Sequence, residues 1–190
     1  NGTAMPTITL DCRTPGEVVY IRFWENGNDD FGPFNICAVA TSTPTNDEAC
    51  AATTLTVGNA CTTVQGTTAG STTSSVATPS SANFLGRDVW YQLTVPSTGN
   101  VTVTTSTVGG SALTDGGLAI YTASNCATAG TFVQIACNDD IGGGNLMSSI
   151  ALTGQTPGQT LYVRVWSRGN TTCGAFNICA FDSNDEPCTA

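Results

Sequence analysis

The chain repeats itself out of phase. The run from Thr14 to Ala38, TPGEVVYIRFWENGNDDFGPFNICA, returns at Thr156 to Ala180 as TPGQTLYVRVWSRGNTTCGAFNICA, identical at 14 of 25 positions without a gap and offset by 142 residues (156 − 14). A second echo follows each copy, NDEAC at Asn46 to Cys50 and NDEPC at Asn184 to Cys188, offset by 138 residues (184 − 46). Self-similarity at a fixed period marks an array of like units. It divides the sequence into the C-terminal strands and linker of a preceding repeat (1–45), one complete repeat (46–183) and the head of a following one (184–190). The complete repeat is long enough to bury a sizeable core, whereas residues 1–45 carry about three strand-like runs, too few to stand alone.

Strand signals fill the chain: Thr7 to Leu10, Val18 to Trp24, Phe34 to Val39, Val89 to Val95, Val101 to Ser106, Leu118 to Tyr121, Phe132 to Ala136, Ser149 to Leu152, Leu161 to Trp166 and Phe176 to Phe181. Each is short, rich in β-branched and aromatic residues, and bounded by Gly, Pro, Asn or Asp. No window sustains a helical period. An all-β fold follows, an antiparallel jelly-roll β-sandwich in tandem repeat with a partial copy at the N-terminus. Gly66 to Asn83, GTTAGSTTSSVATPSSAN, reads as a long surface loop or irregular edge strand, and Thr41 to Thr45, stiffened by Pro44, as the linker between repeats.

Composition excludes several functions. Charged residues make up 10% of the chain; the five cations, Arg13, Arg22, Arg87, Arg164 and Arg168, face 14 acids, for a net charge of −9. Nucleic-acid phosphates demand the basic patches this chain lacks. With neither His nor Lys, a Ser or Cys nucleophile has no ordinary base, and the adjacent carboxylates Asp139 and Asp140 are badly placed to straddle a scissile bond. The chain is read as noncatalytic. No stretch approaches the roughly 20 apolar residues of a membrane span. Nine cysteines without a C-x-x-C pair fit disulfides in an oxidising exterior better than zinc.

The complete repeat runs through NDEAC (Asn46 to Cys50), DVWYQLTV (Asp88 to Val95), LTDGGLAIY (Leu113 to Tyr121), CNDDIGGGN (Cys137 to Asn145), TPGQTLYVRVW (Thr156 to Trp166) and GAFNICAFD (Gly174 to Asp182). In this order the motifs resemble the prepeptidase C-terminal type of β-sandwich, and more closely the tandem repeats of large bacterial surface proteins exported by the type IX route. The resemblance implies a noncatalytic module of adhesins or filaments, or an accessory of secreted hydrolases, often with calcium at its junctions. Calcium takes six to eight oxygen ligands. Asn46, Asp47 and Glu48, with Asp115, Asn138, Asp139 and Asp140, supply oxygens of the right type; the competing reading makes the same residues turn formers.

Among the cysteines, Cys126 and Cys137 flank a hairpin and Cys50 and Cys61 bracket the first strand of the repeat, so these four are the candidate disulfide residues. Cys37 and Cys179 are repeat equivalents, Cys12 and Cys173 align with Gly154 and Phe31, and the pairing of these four is left open. Cys188 matches Cys50 but has no downstream partner in the chain. Trp90 and Trp166 are the candidates for stacking on a sugar ring, with core packing as the alternative. Arg22 and Arg164, at matched places, are expected to pair with acids on a sheet face. The function expected is a structural repeat of an extracellular filament or cell-surface adhesin, stabilised by disulfides and calcium, with neighbouring copies of the repeat as partners and surface glycans as a further target. The alternative is a carbohydrate- or protein-binding accessory module of a secreted hydrolase.

Overall fold

The computed structural model describes residues 5–10, 12–13, 17–27, 31–40, 42–81, 83–170 and 172–183. Among them lie ten strands: β1 (Thr53–Thr54), β2 (Val57–Gly58), β3 (Val64–Thr67), β4 (Asp88–Thr94), β5 (Val101–Thr107), β6 (Gly116–Thr122), β7 (Val133–Asn138), β8 (Ser149–Leu152), β9 (Thr160–Ser167) and β10 (Ala175–Phe181). One sheet has the order β1-β4-β9-β6-β7 and the other β2-β10-β5-β8, with β3 also paired to β10. The sheets are mixed rather than purely antiparallel, because β1 runs parallel to β4 and β2 parallel to β10. The reason is the path of the chain, which lays two-residue strands first on one sheet and then on the other without reversing direction.

Period-two alternation builds the core. Val89, Tyr91 and Leu93 of β4, Leu118 and Ile120 of β6, and Leu161, Val163 and Val165 of β9 meet Val101 and Val103 of β5, Ile150 of β8 and Phe176 and Ile178 of β10 between the layers. Each such side chain contributes about 1.5–3 kcal/mol on burial. The alternate residues of the first sheet do not face water. Trp90, Ala119, Tyr121 and Trp166 form a second apolar cluster with Val76, joined by the partly buried Phe84 and Phe132.

The segment between β3 and β4, expected as a surface loop or irregular edge strand, makes this second cluster possible. It crosses the outer face of the first sheet as far as β7, where the Ser80 amide donates to Gln134 Oε1 (3.1 Å), and returns to β4. Beneath it Arg164 is fully buried. Its Nε donates to Asp88 Oδ2 (3.0 Å), Nη1 to the Ala77 carbonyl (2.9 Å) and Nη2 to Ser74 Oγ (3.1 Å). Asp88 also accepts from the Ser74 amide (3.0 Å), Ser74 Oγ (2.6 Å) and Trp90 Nε1 (2.7 Å). A buried ion pair persists only when its remaining hydrogen-bonding capacity is met this fully. The guanidinium lies 4.1 Å from the centre of the Phe84 ring.

The register fixes two ends. β4 descends from Asp88, opposite Trp166, to Thr94, opposite Thr160. Below it the Gly158 amide donates to the Val95 carbonyl and the Gln155 amide to the Gly99 carbonyl. The chain comes in towards the upper end, where Asn46 exchanges hydrogen bonds with Trp90: the Trp90 amide to the Asn46 carbonyl (2.8 Å) and Asn46 Nδ2 to the Trp90 carbonyl (2.9 Å). It leaves at the lower end, where Phe181 pairs with Thr102 and Thr98 Oγ1 donates to Asp182 Oδ2 (2.7 Å).

Among the described residues of 5–40 no strand forms, which corrects the expectation of strands at Thr7 to Leu10, Val18 to Trp24 and Phe34 to Val39. The second copy explains why. Its two halves become β9, flanked by β4 and β6, and β10, flanked by β5 on one side and β2 and β3 on the other. These are inner strands, and the described residues of the first copy have no strand neighbours of this kind.

Candidate functional site

Three carboxylates converge at the upper end of the first sheet. Asp115 directly precedes β6 and Asp139 and Asp140 directly follow β7, so an antiparallel pair brings its two ends together. One oxygen from each lies within 4.8 Å of the others. Three successive glycines with positive φ, Gly142 (98°), Gly143 (64°) and Gly144 (86°), form the turn that follows, a backbone path that side-chain-bearing residues rarely adopt. Arg168, just past β9, donates from Nε to Asp139 Oδ2 (3.0 Å) and holds Nη1 4.0 Å from Asp115 Oδ2.

The arrangement can hold a metal ion. Oδ1 of Asp115 and Oδ1 of Asp139 are both buried and accept no hydrogen bond. Such oxygens are costly unless a donor or cation meets them. Burial pushes the Asp115 carboxyl up; Arg168 pulls it down, and Asp139 and Asp140 push it up again. One guanidinium thus faces three acids, leaving a negative centre suited to a hard cation.

The other expected ligands are spent elsewhere. Asp47 is buried and accepts from the Thr72 amide (2.6 Å) and Thr72 Oγ1 (2.6 Å). Asn46 is committed to Trp90, and Asn138 Oδ1 accepts from the Ser149 amide (3.1 Å). Glu48 stands apart from the carboxylate cluster, its carboxyl pushed up by burial and then by Asp47 and Asp88, with Arg164 opposing. Asn46 and Asp47 therefore anchor the incoming chain, the first to β4 and the second to the segment that precedes it. Asn46 also reaches Tyr91, whose phenol burial pushes up to about 12 against a hydrogen bond with Asn46.

Trp90 and Trp166 are fully buried, which corrects their expected role as stacking platforms: the segment over the outer sheet face seals both. The indole of Trp166 packs edge-on to Phe84. A side chain at Gly117 would run into that indole, so the missing Cβ is part of its seat.

The disulfides also depart from expectation. Cys50 bonds Cys126 (Cα–Cα 5.0 Å), Cys61 bonds Cys179 (5.4 Å) and Cys12 bonds Cys173 (5.6 Å). Between Cys50 and Cys61 the chain passes from β1 on one sheet to β2 on the other, so each cysteine finds a partner on its own layer. Cys137 lies within β7, packed on the outer cluster with Ser81 donating to its sulfur, while Cys126 sits out in the β6–β7 loop. Cys37 and Cys137 are in no disulfide among the described residues. Cys188, with the expected head of a following repeat, lies outside the described residues.

A two-layer β-sandwich with its carboxylate cluster at one end and three disulfides among the described residues fits a secreted binding-type or structural module. The chain belongs to the galactose binding domain-like family associated with the type IX secretion system, which it matches over residues 45–178. No curated protein matches the chain. Among solved structures it is similar to the pre-peptidase C-terminal domain of a collagenase from Bacillus anthracis, at 13% identity and a TM-score of 0.39, covering 68% of this chain and 93% of that one. No helix among the described residues is long and apolar enough to cross a membrane.

Proposed function

We propose that this chain is a noncatalytic structural repeat of an extracellular filament or cell-surface adhesin, a jelly-roll bead strung end to end with others of its kind. One observation carries the reading: the chain comes in at the upper end of the sandwich, at Asn46, and leaves at the lower end, at Asp182. Units with opposed termini extend an array, whereas termini side by side would make a pendant module. The first copy supports it, because residues 17–40 repeat the sequence of two inner strands and expose Tyr20, Trp24, Phe34 and Ile36. Those strands complete a sandwich whose other strands belong to a neighbouring unit.

Calcium is the ion we assign to Asp115, Asp139 and Asp140. Three carboxylates with two undonated oxygens suit a hard cation, and extracellular modules hold calcium with dissociation constants of about 10⁻⁴–10⁻³ M. The cluster lies at the upper end, on the β6–β7 side of the first sheet, so calcium would stiffen that end of the sandwich rather than serve catalysis.

Electron microscopy of native material tests the array. Chains of beads spaced by roughly 40 Å, the size of a compact unit of this length, are expected; dispersed single particles would overturn the reading. A second reading, a sugar-binding module, draws on the family description and on a cavity of about 320 Å³ between the sheet edges, walled by Asn46, Thr53, Gln65, Thr67 and Tyr91. Saturable binding of galactose-containing glycans, lost in Gln65→Ala, would favour it.

A further inference from the structure

The bond between Cys12 and Cys173 joins residues whose places in the repeat differ. Cys12 is the counterpart of Gly154, offset by 142 residues like the rest of its copy. Gly154 sits at the lower end of the sandwich, where its amide donates to Asn100 Oδ1 (3.2 Å). The two positions share a backbone conformation as well as a register: φ is 57° at Cys12 and 66° at Gly154. Left-handed geometry at a non-glycine residue is uncommon, and Cys12 shares it with its counterpart in the lower-end turn. Cys173 belongs to the opposite end. It is buried in the connection between β9 and β10, beside Gly174, whose amide and carbonyl both bond Thr68. A second contact lies close by, where the Arg87 guanidinium, immediately before β4, donates to the Arg13 carbonyl.

We propose that the Cys12–Cys173 disulfide is a staple between successive units, bonding the lower-end turn of one to the upper end of the next and fixing their relative orientation. The inference rests on the array reading. A single linker such as Thr41 to Thr45 lets two beads swivel, and a second covalent attachment removes that freedom, because the joint then closes a ring. The chemistry is specific to this joint. The complete unit carries Gly154 where its predecessor carries Cys12, so the joint below it has no such staple and bends more freely. Phe31, the counterpart of Cys173, likewise offers no thiol to a unit further up. Stiffness along the array is therefore set joint by joint, by which turns carry cysteine.

The test compares native assemblies with and without the paired substitution Cys12→Ser/Cys173→Ser, measuring the angle at each joint by electron microscopy. The joint above the unit should hold a narrow range of angles in the native chain and spread at least threefold in the variant. The joint below should be equally broad in both. The melting temperature of the unit should change less than it does in Cys61→Ser/Cys179→Ser. Bead chains with an unchanged spread would overturn the staple alone, as would a loss of melting temperature equal to that of the Cys61–Cys179 variant, which would make the bond part of the unit's own stability. Absence of bead chains would overturn the array reading and the staple with it.

Discussion

Two stretches of nearly the same sequence lead opposite lives in this molecule. In the second copy Trp166, Phe176 and Ile178 are 0% exposed; in the first their counterparts Trp24, Phe34 and Ile36 are 69%, 49% and 61% exposed. Arg164 is sealed against Asp88, while Arg22 faces solvent. Local propensity is shared, so it does not decide the outcome. What differs is the presence of β4 and β6 on either side of β9, and of β5, β3 and β2 around β10. A strand with an inner-strand sequence is stable only when both of its edges are paired and both of its faces covered.

The comparison can be broken most severely at the cysteines. Cys61→Ser/Cys179→Ser opens a loop of 118 residues, which in the chain-entropy model costs about 5 kcal/mol; Cys37→Ser, at the equivalent place, should change the unfolding free energy from urea titration by less than about 0.5 kcal/mol. Next comes Trp166→Ala, expected to cost about 4 kcal/mol, against a negligible change for Trp24→Ala. Asp88→Asn leaves the Arg164 charge buried without its counterion and should cost about 3 kcal/mol, while Arg22→Ala should leave the unfolding curve of the isolated chain where it is. Equal losses in the two copies, in any of these pairs, would mean that the first copy is folded into the same unit.

Smaller effects sharpen the difference at Arg168, whose counterpart is Asn26. Chelating calcium from a sample in millimolar calcium should remove about 1 kcal/mol of stability, and Asp115→Asn should abolish that response. Without calcium the carboxyl of Asp115 titrates above its ordinary value in the folded state. The folded state then binds more protons than the unfolded one, so stability should fall as pH rises from about 4 through the raised folded value. Calcium, by favouring the ionised form, should flatten this slope.

The sequence made the long strands legible and hid the short ones. The runs at Val89, Val101, Leu118, Phe132, Ser149, Leu161 and Phe176 match β4 to β10 to within one or two residues, because each carries β-branched or aromatic side chains between turn-forming residues. β1 and β2 have only two residues each, and β3 contains Gly66, so no period could appear. Carboxylate types were readable but their company was not: Asp47 and Asp139 look alike in sequence, and only the fold turns one towards Thr72 and the other towards Asp115. Cysteine pairing failed for the same reason, since neighbours along the chain, such as Cys50 and Cys61, separate onto different sheets. The outer face of the first sheet was the largest surprise, because a Ser/Thr-rich segment carries few apolar residues, and Val76 and Phe84 alone mark it as a cover.

Hydrogen exchange on the isolated chain and on native assemblies tests most directly that the first copy is a pair of inner strands awaiting another unit. In the isolated chain the amides of residues 160–181 should be strongly protected and those of 17–40 should exchange nearly freely, and in the assembly both stretches should be protected alike. Protection of 17–40 in the isolated chain, or free exchange there in the assembly, would contradict the account.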